Sequence, residues 1–186
     1  MSIVLLGSTS GSVTLQEQAV SGTTVLDLPA TSGTILTTGS SGQSIPKAAL
    51  PTGSVLQVTQ TSYTTSTSTT SEGYVTTGLS ASITPTSATS KILVLISVGQ
   101  YSTADGDQSG GPFALYRGAS EIAALSSNTG YIVNTTTTIM PLFFQYLDSP
   151  ATTSSTTYQV YIKNVSGGTI YISQGKSSIT AFEIAG

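Results

Sequence analysis

Residues 91–101 read KILVLISVGQY and contain the longest apolar run in the chain. The run is bounded by Lys91 at one end and Gly99 at the other, and apolar side chains continue without a break from Ile92 to Ile96. A run of this length with β-branched residues at alternate positions is a strand, and one that is apolar on both sides of the pleat is predicted to be buried on both faces. The segments around it follow the stricter alternation of half-buried strands. Leu79, Ala81 and Ile83 alternate with Ser80, Ser82 and Thr84; Tyr158, Val160 and Ile162 share one face, as do Ile170 and Ile172. Phe113 to Arg117 and Glu121 to Leu125 flank Gly118, Ala119 and Ser120 as a tight hairpin would. Eight such strands with glycine-rich turns between Gly73 and Gly186 are the number expected of a jelly roll or a similar sandwich.

Composition agrees. Among 186 residues only 5 are Lys or Arg and 8 are Asp or Glu, so charged residues make up 7% of the chain, against about 25% in an ordinary globular domain. Ser and Thr supply roughly a third of the residues, and helical periodicity is nearly missing. The one candidate helical turn is Ser44 to Leu50. The chain contains no His, Cys or Trp. That removes His- and Cys-based nucleophiles, His- or Cys-ligated zinc and haem, and disulfides. No cofactor and no metal is expected. Five scattered basic residues cannot neutralise the phosphates of a nucleic acid or engage an anionic membrane. The opening apolar stretch, Ile3 to Leu6, is too short for a membrane helix.

Toward the N-terminus, Gly11, Gly22 and Gly33 stand eleven apart, and each opens a short run of hydroxyl and apolar residues: GSVTLQ, GTTVLDL and GTILTT. Three strands this poor in apolar surface cannot close a core alone. Copies of the chain around a three-fold axis would supply the missing surface, with Leu15, Leu26, Leu28, Ile35 and Leu36 as trimer contacts. The alternative is an arm packed on the chain's own C-terminal domain. Residues 59–71, TQTSYTTSTSTTS, read as a linker or an exposed edge strand. The expected organisation is therefore residues 1–58 as an N-terminal β repeat and attachment region, 59–72 as a Ser/Thr-rich linker, and 73–186 as the sandwich head.

The segment LDLPATSGTILTTG at 26–39 resembles the Gly/Thr repeats near the start of tailed-bacteriophage fibre and virion structural proteins. ITPTSATSKILVLISV at 83–98, LYRG at 115–118, LDSPATTSSTTYQVYIKN at 147–164 and SSITAFEIAG at 177–186 resemble the globular heads of such proteins. The resemblance implies a homotrimer in the virion, an N-terminal β stalk or arm on the particle, a C-terminal jelly-roll-like head, and other capsid or tail proteins as partners. The short repeat favours capsid decoration or cementing, or a short tail appendage, over a long fibre.

Chemistry-bearing residues are few. Asp105, Gly106, Asp107 and Gly110 open like a calcium loop, but Tyr116 stands where the twelfth-position Glu is needed, and a solvated rim loop is the default reading. Tyr101 and Tyr131, with Asp105 beside them, are the candidates for stacking on and hydrogen bonding a host-surface glycan, the alternative function. A carboxylate glycosidase, drawing on Asp105, Asp107, Glu121, Asp148 and Glu183, is a third reading. Glu183 is expected to pair with a Lys across strands, Asp148 to serve a turn, and Arg117 to pair with Glu121. The chain is expected to be a non-enzymatic structural protein.

Overall fold

In a computed structural model the described residues are 2–6, 12–16, 47–104, 109–132, 138–165, 167–172 and 175–186. The chain divides into two units, Met1–Ser44 and Ile45–Gly186. In the first unit β1 (Ser2–Leu6) pairs antiparallel with β2 (Ser12–Gln16), so that Ile3 faces Leu15 across the ladder. β2 is the first of the three repeat runs; the other two lie outside the described residues.

The second unit is all β apart from one 3-10 turn, Lys47–Ala49. Its strands are β3 (Val55–Tyr63), β4 (Thr67–Thr69), β5 (Val75–Ile83), β6 (Lys91–Ala104), β7 (Ser109–Gly111), β8 (Phe113–Arg117), β9 (Ser120–Ala124), β10 (Thr129–Ile132), β11 (Thr138–Asp148), β12 (Thr156–Ile162), β13 (Thr169–Ile172) and β14 (Ser177–Ile184). They pair in a nested series: β8 with β9, β7 with β10, β6 with β11, β5 with β12, β4 with β13 and β3 with β14. The head is thus one antiparallel ribbon doubled back at Gly118 and Ala119. Gly118 sits at φ +59° while Ala119 keeps a negative φ, the combination of a type II′ hairpin turn, which takes glycine at its first central position.

Cross-pairings roll this ribbon up. β6 takes β14 and then β13 along the edge opposite β11, and β12 takes β8 beside β5. Because β14 and β13 follow each other along β6, as β3 and β4 follow each other along them, the six-stranded sheet has four rows. It faces the sheet β5-β12-β8-β9. Numbered along the chain, the eight rows lie in the orders 1-8-3-6 and 2-7-4-5, which is a jelly roll. The inner faces interdigitate through Leu79, Ile92, Val94, Ile96, Val98, Phe113, Leu115, Tyr158, Val160, Ile162, Ile170, Ile172 and Ile179, all fully buried.

Two expectations are corrected here. The run 59–72 takes the edge-strand reading and not the linker one: Thr59–Tyr63 completes β3 and Thr67–Thr69 is β4, both at an edge of their sheet, so the boundary moves back to 44/45. Thr and Tyr suit a pleated surface, and alternation of Thr with Ser leaves a strand that is polar without being irregular. Tyr63, the one large side chain in the run, packs where Gly78 (φ +81°) leaves room for its ring, and shares a 3.0 Å hydrogen bond with the Thr67 hydroxyl. The second correction concerns β6. Its inner residues Ile92, Val94, Ile96 and Val98 are buried, but the alternate residues Leu93 and Leu95 are partly exposed. Among the described residues no layer of this unit lies over that side of the strand.

Candidate assembly surface

The uncovered side of β6 is the centre of a larger apolar face. The ladder registers align Leu147, Leu93, Phe182 and Val58 in a single rung across β11, β6, β14 and β3. The next rung is Gln145, Leu95, Thr180 and Gln60, with the Gln60 amide donating to the Thr180 hydroxyl at 2.9 Å. The third is Phe143, Ser97, Ser178 and Ser62. None of these residues is charged. Along β11 every fourth residue, Ile139, Phe143 and Leu147, is large and apolar, with 63%, 63% and 52% of its surface exposed, and Val58 on the far row is 50% exposed. A monomer of this size has little reason to carry such a stripe unless something covers it.

The dimensions fit a specific interface. Four rows about 4.8 Å apart and a strand of 11 residues at about 3.4 Å each make a face of order 700 Å², close to the roughly 800 Å² that one partner contributes to a stable complex. Covering each of the four exposed side chains contributes about 1–2 kcal/mol. Among the described residues β11 pairs only with β6, and Pro141 stands at the bulge between Met140 and Leu142. A proline on an edge strand cannot donate to an added strand, so Pro141 opposes ladder extension along this edge.

The residues singled out from sequence are placed as follows. Tyr101 is fully buried and donates from its hydroxyl to the Thr129 carbonyl at 3.0 Å, with its ring edge-on to Phe113 at 5.4 Å. A ring with no exposed face cannot stack on a sugar, which removes it as a glycan contact; burial pushes its hydroxyl up to about 12. The backbone of Tyr131 lies in β10, and Asp105 lies outside the described residues. Leu15 is in β2, while Leu26, Leu28, Ile35 and Leu36 lie outside the described residues.

The described carboxylates of the head are taken up separately. Glu183 is on the inner face and fully buried. One of its oxygens accepts from the Thr86 amide (2.6 Å), the Thr86 hydroxyl (2.7 Å) and the Ser90 hydroxyl (2.7 Å), and the other from the Gln57 amide (2.6 Å). No Lys is among these partners, so the expected cross-strand ion pair is not formed. Burial by itself would raise the Glu183 carboxyl, but the hydrogen bonds from Thr86, Ser90 and Gln57 outweigh it and hold the group below its ordinary value.

Asp148 does more than serve a turn. It accepts two bonds from Arg117 Nη1 (3.1 and 2.9 Å) and one from the Tyr158 hydroxyl (2.6 Å). Arg117 therefore pairs with Asp148 and not with Glu121, because the alternation of β8 sends Arg117 to the inner side while Tyr116 and Glu121 meet on the outer one. Burial, and then the bond to Asp148, raise the Tyr158 hydroxyl well above the usual tyrosine value.

No protein family matches the chain, and no curated protein matches it in sequence. Among solved structures, similar chains come from infectious bursal disease virus. The virus of the Gx strain gives a TM-score of 0.38 at 14% identity over 70% of this chain and 38% of that one. T=1 particles derived from the virus give 0.38 at 15% over 72% and 37%. A mutant VP2 protein in such particles gives 0.38 at 14% over 71% and 37%. This chain spans less than two fifths of the length of each.

Proposed function

We propose that the protein is a non-enzymatic structural component of a bacteriophage virion surface, a homotrimer that decorates or cements the capsid or forms a short tail appendage. Its N-terminal region is the attachment to the particle and its jelly roll is the head. The observation that carries this reading is the rung Leu147, Leu93, Phe182 and Val58: β6 is apolar on both faces, and the described residues cover only one of them. A second copy is the occupant that fits. The face is uncharged, so copies meet on it without like-charge repulsion; around a three-fold axis each copy sets one side of the face against the other side of the next. The resemblance of segments 26–39, 83–98 and 177–186 to phage structural proteins supports the location in a virion.

Sedimentation of the full chain tests the reading. The trimer mass is expected for the parent, and Phe143→Asp is expected to shift dissociation to concentrations more than about tenfold higher while keeping a cooperative melt. A monomeric parent overturns the trimer. A trimeric parent that is indifferent to Phe143→Asp overturns this face as its contact. Because the chain has no cysteine, Gln145→Cys gives a clean second measurement: labelling by a thiol reagent should be slower in the assembled protein than after dilution to monomer, while labelling of Thr153→Cys should not change.

A further inference from the structure

The outer face of the other sheet has a different chemistry. Tyr116 on β8 and Tyr161 on β12 lie nearly stacked, with ring centroids 4.0 Å apart at 31°. Tyr74, just before β5, meets Tyr116 edge-on at 6.1 Å, and Lys163 Nζ lies 4.9 Å from the centroid of Tyr74. All three rings are partly exposed. The register explains the grouping. Tyr161 stands opposite Ala114 and Thr76, and Tyr116 opposite Gln159 and Glu121, so small residues alternate with large ones and the rings lean over the gaps. Polar groups surround them. The Tyr116 hydroxyl donates to Glu121 at 3.4 Å, the Gln159 amide donates to Thr76 at 2.6 Å, and a shallow cleft of about 220 Å³ beside Lys163 is lined by Glu72 and Asn164.

We propose that Tyr74, Tyr116 and Tyr161 form a binding platform for a neutral saccharide. The sides of Tyr116 and Tyr161 that stack on each other are occupied, so a pyranose would lay its C–H side on an outer ring face, with Gln159, Glu121, Lys163 and Glu72 around the rings as donors and acceptors for its hydroxyls. Tyrosines suit this work because they present large amphipathic surfaces with few rotors to immobilise. The charges select among ligands. Two carboxylates stand against one ammonium, so uronates, sialates and phosphates meet a net negative rim. Nucleic-acid bases could stack here too, but one lysine cannot follow a phosphate backbone. The platform is on the opposite sheet from the assembly face, so it is independent of the trimer.

The test is a panel of neutral hexose and N-acetylhexosamine oligosaccharides beside uronate- and sialate-bearing counterparts, presented to the full chain. Affinities are followed by tyrosine emission, which no tryptophan obscures. Binding confined to neutral members is expected. Tyr161→Ala should weaken it about tenfold or more and Tyr161→Phe by less than about threefold, because stacking needs the ring and not its hydroxyl. Each variant's melt must match the parent's, and Tyr116→Ala provides a second site should Tyr161→Ala not fold. Silence across the neutral panel, preference for the acidic members, or unchanged binding by a folded Tyr161→Ala would each overturn the proposal. So would capture of a protein ligand on the same three rings with no saccharide bound.

Discussion

The Tyr158 hydroxyl donates to Asp148 across 2.6 Å, joining the end of β11 in one sheet to the start of β12 in the other. The chain crosses between the two layers at this point, and Arg117 closes the group from β8. Removing the hydroxyl leaves the Asp148 Oδ2 atom with Arg117 as its remaining donor in a nearly dry site. Tyr158→Phe should cost about 1.5–3 kcal/mol in denaturant unfolding, and a double-mutant cycle with Asp148→Asn should recover most of that as coupling. A Tyr158→Phe cost below about 0.5 kcal/mol would mean water replaces the bond.

Glu183 sets the acid limit of the fold. Its folded value lies below its unfolded one, so its contribution is complete above the ordinary carboxylate range and is lost as pH falls through the folded value. The melting temperature should therefore decline as pH drops below about 4.5. Glu183→Gln should flatten that decline and lower stability at neutral pH by about 2–4 kcal/mol, because an amide places a donor among donors. Thermal melts between pH 3 and pH 7 check both.

The alkaline side has the opposite sign. Tyr101, at about 12, and Tyr158, raised further, hold their protons in the folded state after unfolded tyrosines, near 10.0, have lost theirs. Stability should fall as pH rises past about 10. Tyrosinate absorbance of the native protein at pH 11 should fall short of that of the unfolded chain at the same pH, where most of the nine tyrosines are ionised.

Two truncations separate the boundary at 44/45 from the one at 58/59. Residues 45–186 should unfold cooperatively, since every partner of β14 is retained. Residues 59–186 lose Val55 to Val58, which pair with Ile184, Glu183 and Phe182, and with them Gln57 on Glu183. That shorter chain should melt lower or aggregate; equal melts would restore the linker reading.

Glycines at crowded positions should not tolerate a side chain. A Cβ on Gly111 would overlap the Lys163 carbonyl, whereas one on Gly118 meets open space. Gly111→Ala should therefore cost more than about 2 kcal/mol. Gly118→Ala meets no overlap and only the strain of a positive φ, so it should cost less, about 1–2 kcal/mol. Equal costs in chemical unfolding would count against the packing at Gly111.

The alternation that placed Leu79, Tyr158 and Ile170 on an inner face is a local property, and residue order alone reveals it. The 113–125 hairpin was legible for the same reason, since Gly118 marks its own turn. Pairings between distant strands are a different matter. That Arg117 turns to Asp148 and not to Glu121 depends on which side of β8 faces the core, and the bulge between Leu115 and Tyr116 shifts the register at that point. The two-sided apolar pattern of 92–96 was visible, but pattern cannot tell whether the second cover comes from the same chain. Tyr74, Tyr116 and Tyr161 are separated by forty residues or more and meet only through the ladder. No spacing rule finds them, and the rings that looked accessible beside glycines included one, Tyr101, that the core absorbs.

Because the head is a single ribbon doubled at Gly118, its first row finds its partner in its last. A ribosome releasing this stretch would have the Gly118 hairpin free to close long before β14 emerges, and β3 would wait with an unmet edge until nearly the whole sequence had been made. Closure from the tip outward makes folding slow and nearly all-or-none. The uncharged stripe on β11 would be exposed to its sister copies on a polysome during that wait, so the order of synthesis itself would set when neighbouring chains can first find one another.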